Sequence, residues 1–409
     1  MTPKPDDAFR HVERSREVQR DAPEARARVR ALPASKVREI ANAGFGNSGI
    51  LRFWFGESSR PTPEYIKTAA VRAIESNQTY YVHNNGRADL REAVARYLGR
   101  LHGVTFETSR ISVTSAGISA LSIAMQAVLD PDDEVVMVTP VWPNVAAIPQ
   151  ILSASVTRIG LEAKDGRWHL DLDRFLDAIS AKTRLVVINS PGNPTGWMLP
   201  GEHRQVILDR CRHVGAWLLV DDVYERLVFA PGLQCAPSFF SIADPQDRLI
   251  GANSFSKAWL MTGWRLGWLV APASLENDLG KLIEFNTSCA PDFIQAAGRE
   301  AILQGENYVV DLRNELLHQR NQLISQLSRL QGVEAPVPEG AMYAFFKIVG
   351  HGNSAELAKR LVREAGLGLA PGAAFGPEGE GWLRWCFAAH PDALTEGVLR
   401  LQNWLELQR

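Results

Sequence analysis

The stretch RLVVINSPGNPTG at residues 184–196, followed by AWLLVDDVYE at 216–225, decides the architecture. Each opens on an unbroken apolar run. A strand with one face in water alternates apolar and polar residues, whereas a strand covered on both faces has no need to. The same composition recurs in ISVTS at 111–115 and EVVMVT at 134–139. Segments of helical spacing lie between these runs: Ile118, Leu121, Met125 and Val128 share one face of the stretch 118–129. Strand, helix and strand in succession imply a parallel sheet with helices on both sides, an α/β fold.

Further along, Leu312, Leu316, Leu323, Leu327 and Leu330 mark a long helix over 308–330. The runs AMYAFFKIV (341–349) and WLRWCFA (382–388) read as strands, with SAELAKRLVREAG (354–366) as a helix between them. That order suggests a smaller α+β domain. The first ~30 residues are polar and rich in Arg and Glu, as expected of an arm. They lack the apolar core of a secretion signal, and their acids argue against a transit peptide.

The 409 residues carry 44 basic and 46 acidic side chains, a net charge of −2, which excludes a general polyanion binder. An apolar share of 45% against 22% charged excludes wholesale disorder. Cys211, Cys235, Cys289 and Cys386 form no C-x-x-C pair, which fits a reducing compartment, and no apolar run approaches the roughly 20 residues of a bilayer span. The expected location is the cytoplasm.

Two motifs are set aside. GFGNSG at 44–49 matches a dinucleotide pattern, but a helical segment precedes it and an extended one follows, the reverse of what that site needs. Ser254-Phe255-Ser256-Lys257 matches the S-x-x-K of serine acyl hydrolases, without the S-D-N and K-T-G elements that accompany it. The nine histidines form no metal-binding pattern.

Four segments carry chemistry together. SPGNPTG (190–196) is a sharp loop at a strand's carboxyl end, where open α/β sheets place ligands. LLVDDVYERLVF (218–229) brings Asp221 and Asp222 out of a buried strand, able to meet a cation. NSFSKAWLMTGWRLGWLV (253–270) gathers hydroxyls, a lysine and an arginine, suited to a phosphate beside an amine. In GWLRWCFA (381–388) Arg384 sits inside an apolar strand and calls for an anion, either a bound carboxylate or an internal salt bridge.

In their order, and most closely in the spacing of Lys257 to Arg265, these segments resemble the fold type I pyridoxal-phosphate (PLP) enzymes, specifically the aspartate-aminotransferase-like class I/II aminotransferases. The resemblance runs from about Leu51 to the C-terminus. It implies a large domain with a mostly parallel seven-stranded sheet over 61–297 and a small domain formed by 298–409 with help from 31–60; residues 1–30 remain an arm. Lys257 would hold pyridoxal 5'-phosphate as an imine and later shuttle a proton. Asp221 would keep the pyridine nitrogen protonated, so that the ring acts as an electron sink. Asn193 and Tyr224 would bond the phenolic oxygen, and Trp142, in TPVWPN, would stack on the ring. Ser254, Arg265 and the backbone of Gly117 and Ile118 would hold the phosphate. Tyr81, in TYYVHNNG, would reach the phosphate of a neighbouring subunit, implying a homodimer. Arg384 would clamp the substrate carboxylate, with Asn193, Gly56 and Phe55 lining the substrate side.

This chain departs from the pattern in places. Ala116 and Ile118 in SAGIS replace hydroxyl residues common at the phosphate turn, and FNTSCAPDF (285–293) lacks the arginine that aspartate-type members place nearby. An apolar or aromatic amino donor is expected, with transfer to a 2-oxo acid by a ping-pong scheme. The alternatives are a β-elimination lyase on the same fold, a non-catalytic PLP-binding domain, and the Ser-Lys acyl hydrolase.

Overall fold

The computed structural model describes residues 23–408, which divide into two units between Pro33 and Ala34. Most of the polar arm expected over 1–30 therefore lies outside the described residues; its described part contains the four-residue helix Ala27–Arg30.

In the second unit, seven strands form the main sheet: β1 (Ile111–Thr114), β2 (Glu134–Thr139), β3 (Ser155–Gly160), β4 (Thr183–Asn189), β5 (Trp217–Asp221), β6 (Leu249–Ser254) and β7 (Gly267–Val270). Their spatial order is β1-β7-β6-β5-β4-β2-β3. All neighbours are parallel except β7, which runs antiparallel to both β1 and β6. Both faces are covered, as the continuous apolar runs require. Val186, Ile188, Leu218 and Val220 belong to one apolar cluster, while Leu185, Val187, Leu219 and Ile250 belong to another. Neighbouring residues on a strand point to opposite sides of the sheet, so each strand feeds both layers.

Two strands carry little signal in sequence. β3 is an edge strand whose first residues are largely exposed, and β6 (LIGANS) has only two large apolar residues before it turns small and polar. The long helix expected over 308–330 runs Glu306–Leu327; Leu330 lies in the turn beyond it, ahead of Gly332 at φ +79°.

A second sheet of four short strands has the order Val333–Glu334, Tyr343–Ile348, Trp382–Cys386, Ala370–Pro371. Leu51–Arg52 pairs in parallel with Leu367–Gly368, tying an early segment to a late one. Residues 44–49 form turns between the helix Lys36–Ala43 and that early strand, so the glycine-rich motif is a connection.

The site depends on how β7 is seated. Gly267 pairs with Ser254 on one side and Thr114 on the other. A Cβ there would lie 2.6 Å from the Gly117 nitrogen and 2.7 Å from the Asn253 carbonyl oxygen, both backbone atoms. Gly267→Ala is therefore expected to lower stability by about 1–3 kcal/mol or more through overpacking, measured by denaturant unfolding of the cofactor-free protein.

Candidate active site

Three parallel strands end at one level. Asn189 on β4 pairs with Asp221 on β5, which pairs with Ala252 on β6. Their carboxyl ends open a crevice, the usual ligand position in such sheets. The Asn189 amide donates to the Asp221 carbonyl at 3.0 Å and its Oδ1 accepts from the Asn193 N–H at 2.9 Å. The SPGNPTG loop is thus fastened to the strand beside it.

The connection from β6 to β7 carries Ser254, Ser256, Lys257 and Arg265. Because β7 returns antiparallel between β6 and β1, this connection folds over the crevice near the start of the helix Gly117–Val128. Gly117 must lack a side chain: its Cβ would meet the Ser254 Cβ at 2.9 Å. Ala116, just before the helix, is buried at φ +128°, a conformation that costs a non-glycine residue about 1–3 kcal/mol.

A cavity of about 190 Å³ is lined by Gly117, Ile118, Trp142, Asn193, Asp221, Tyr224, Ser254, Lys257, Arg265, Arg384 and Gly56, together with Tyr343 and a few others. The structure thus brings together nearly every residue singled out from sequence. Two are not in this cavity. Phe55 lies against Arg38, whose guanidinium carbon is 5.9 Å from its ring, and lines a separate depression. Tyr81 is 87% exposed and does not line the cavity of its own chain.

Burial dominates the electrostatics. Loss of water pushes the Asp221 carboxyl up to about 7, against smaller opposing effects of the Val223 N–H and Lys257. The same desolvation pulls the Lys257 amine down to about 8, with Arg384 and Arg265 adding repulsion. Lys257 Nζ donates to the Gly56 carbonyl and lies 5.9 Å from the centre of the Tyr224 ring. Ser254 Oγ instead meets Ser256 Oγ at 2.9 Å and the Leu266 carbonyl at 3.1 Å. Ser254 and Lys257 share no hydrogen bond, so the serine is not activated as a hydrolase would require.

Arg384 is buried at the centre of its strand. It donates to Asn193 Oδ1 at 2.9 Å and to the Trp54 carbonyl, and its Nε has no hydrogen-bond partner. Among the described residues no carboxylate forms a salt bridge with it, so the internal ion pair weighed from sequence is not there.

Sequence reasoning missed two groups. One is Tyr343, whose hydroxyl is 2.6 Å from that of Tyr224. The other lies beside Asp222: Glu225 accepts from the Asn253 amide at 2.7 Å and meets His102 Nε2 at 3.2 Å. Burial opposes charge on His102, yet hydrogen bonds to Cys235 and Glu225 lift it to about 10. Asp222 beside them is raised well above the carboxylate range by burial and by Glu225. Only the long separations in sequence hide these contacts.

The family model for aminotransferase class I and II matches residues 50–400, and the chain belongs to that family. It is 32% identical over 382 residues to an aspartate aminotransferase of Pyrococcus horikoshii, covering 93% of this chain and 96% of the relative. It is 30% identical to aromatic-amino-acid aminotransferase 2 of Thermococcus litoralis, covering 93% and 97%. Among solved structures, the aspartate aminotransferase from Rhizobium meliloti superposes with a TM-score of 0.85 at 28% identity, covering 93% and 98%. The activity is that of an amino-acid aminotransferase, with amino acids and 2-oxo acids as substrates.

The Asp221 carboxyl has a checkable consequence. Folding raises it from 3.8 to about 7, so the folded, cofactor-free protein holds a proton that the unfolded chain releases. Stability should therefore fall as pH rises from about 4 to 7, by on the order of 4 kcal/mol from this group, and level off above. Asp221→Asn should flatten that part of the profile in urea unfolding across pH; an unchanged slope would contradict it.

Proposed function

We propose that the cavity holds pyridoxal 5'-phosphate and that the chain transfers amino groups from L-amino acids with apolar or aromatic side chains to 2-oxo acids by a ping-pong scheme. The observation carrying this reading is a buried carboxylate, Asp221, and the half-buried amine of Lys257, lining one cavity that also opens on the Gly117 helix start.

The residues fit the group on three counts. Asp221 is destabilised as an anion unless a cation meets it, which a protonated ring nitrogen supplies. The Gly117 and Ile118 N–H groups begin a 12-residue helix beside Ser254 and Arg265, an anion site by donors and dipole. Arg384 has an unpartnered Nε and, among the described residues, no salt-bridged carboxylate, as a carboxylate receptor should. The bound cofactor would supply an electron sink for charge developing at the substrate α-carbon.

The chain's own side chains do the rest. Asp221 keeps positive charge on the ring nitrogen, and Trp142 closes one wall of the cavity. Asn193 and Tyr224 present hydrogen-bonding groups to the ring oxygen. Asn193 also accepts from Arg384, which couples the cofactor end of the site to the carboxylate end. Lys257 is the anchor and, once its amine is free, the base that moves a proton at the substrate α-carbon. Its depressed basicity leaves an appreciable neutral fraction near pH 8. Ile118, Leu121 and Tyr343 add apolar lining, which supports the donor preference.

The domain arrangement belongs to the same reading: a cofactor domain over 61–297 and a smaller one formed by 298–409 with 31–60. The pairing of Leu51–Arg52 with Leu367–Gly368 supports it. Tyr80 and Tyr81, 78% and 87% exposed, support a homodimer in which Tyr81 serves the neighbouring subunit's phosphate. The free cysteines support a cytoplasmic setting.

A donor panel tests the function. Protein loaded with the cofactor is mixed with single amino acids, and the visible spectrum is followed without an acceptor. Aromatic and apolar donors should convert the cofactor once and stop until a 2-oxo acid is added; steady oxo-acid release without an acceptor would show a lyase instead. Arg384→Ala should weaken amino-acid binding by about 2–5 kcal/mol, the cost of truncating one partner of a buried charge pair. Half-saturation values that hardly move across several amino acids would remove Arg384 from the clamp.

A further inference from the structure

Tyr343 meets both ends of the site, at Arg384 and at Tyr224. It begins the strand Tyr343–Ile348, where Phe345 pairs with Arg384 and Tyr343 with Cys386. Tyr343 is therefore the diagonal neighbour of Arg384 on the same face of the sheet. Its ring centre lies 4.5 Å from the Arg384 guanidinium carbon, a cation–π stack in a fully buried setting. At the other end, its hydroxyl is 2.6 Å from the Tyr224 hydroxyl. The space beside that hydroxyl is taken: a Cβ on Gly56 would stand 2.0 Å from it. Gly56 in turn accepts from Lys257.

Each phenol has one proton to give. Burial drives both Tyr224 and Tyr343 above the ordinary phenol range, so both hydroxyls stay protonated and one must donate to the other. Tyr224 and Tyr343 both line the cavity, but Tyr224 rises from the turn directly after Asp221. If Tyr343 donates to the Tyr224 oxygen, the Tyr224 proton is left free to point at an acceptor in the cavity.

We infer that Tyr343 is a positioning residue with two separable parts: its hydroxyl directs the Tyr224 proton toward the oxygen of the bound cofactor, and its ring holds the Arg384 guanidinium flat for a carboxylate. This rests on the reading that Tyr224 donates to that oxygen. The hydroxyl pair forms a short chain in which each donor strengthens the next, and the same tyrosine spans the cofactor and carboxylate ends.

The test uses the loaded enzyme and two readouts other than turnover: the pH midpoint of its visible absorption band, and the affinity for 3-phenylpropionate, a carboxylate with no amine to react. Tyr343→Phe keeps the ring and removes the hydroxyl. Its midpoint should rise by about half to one pH unit, the size of one lost hydrogen bond, with 3-phenylpropionate affinity within about twofold of wild type. Tyr343→Leu should show the same shift and bind 3-phenylpropionate about 2- to 30-fold more weakly, from the lost stack. In a Tyr224→Phe background, Tyr343→Phe should no longer move the midpoint, because its effect passes through the missing hydroxyl. A general packing defect would move it equally in both backgrounds and would overturn the inference, as would an unshifted Tyr343→Phe midpoint when Tyr224→Phe shifts its own. If Tyr224→Phe itself leaves the midpoint in place, the underlying role of Tyr224 fails first.

Discussion

A carboxylate buried at the end of a central strand is the constraint on which this structure turns. Asp221 cannot ionise comfortably, because burial removes water and the nearby lysine returns only part of the lost stabilisation. On the proposed reading, a cation completes the site. β4 and β6 flank the strand in register. Lys257 suffers the same desolvation with opposite sign. The two shifts bring an acid and a base toward each other across neutral pH, the pattern of a site doing proton chemistry.

The antiparallel strand β7 turns this crevice into a pocket. It forces the chain between β6 and β7 to cross the strand ends, which places the hydroxyls, Lys257 and Arg265 beside the helix that starts at Gly117. The end proposed to receive a carboxylate is assembled separately, on the strand that carries Arg384. Asn193 and Tyr343 join the two ends, one by a hydrogen bond to Arg384 and the other by a ring stacked on it. On the proposed reading, substrate recognition and cofactor tuning share side chains.

Much of this was legible in the sequence, for reasons that differ between parts. Strands β1, β2, β4 and β5 announce themselves because burial on both faces demands uninterrupted apolar runs. Lys257, Asp221 and Arg384 stand out because charged groups beside or within such runs need a partner. Strand β3 was hidden by its exposed edge, and β6 by its small and polar end. Tyr343 looked like one more aromatic in AMYAFFKIV, since nothing local reveals that its hydroxyl meets Tyr224, 119 positions away. Phe55 was expected in the substrate pocket next to Gly56, but the backbone turns it toward Arg38 instead. His102 and Glu225 meet only because helix Ala88–His102 ends against the turn after β5.

On the proposed reading, one amine, Lys257, anchors an aldehyde-bearing cofactor opposite Asp221. Borohydride reduction of the loaded wild-type protein, followed by peptide mapping, tests it most directly. The expected result is a pyridoxyl group on the peptide containing Lys257 and on no other lysine. A label on a different lysine, or none on a protein that retains the cofactor, would contradict it.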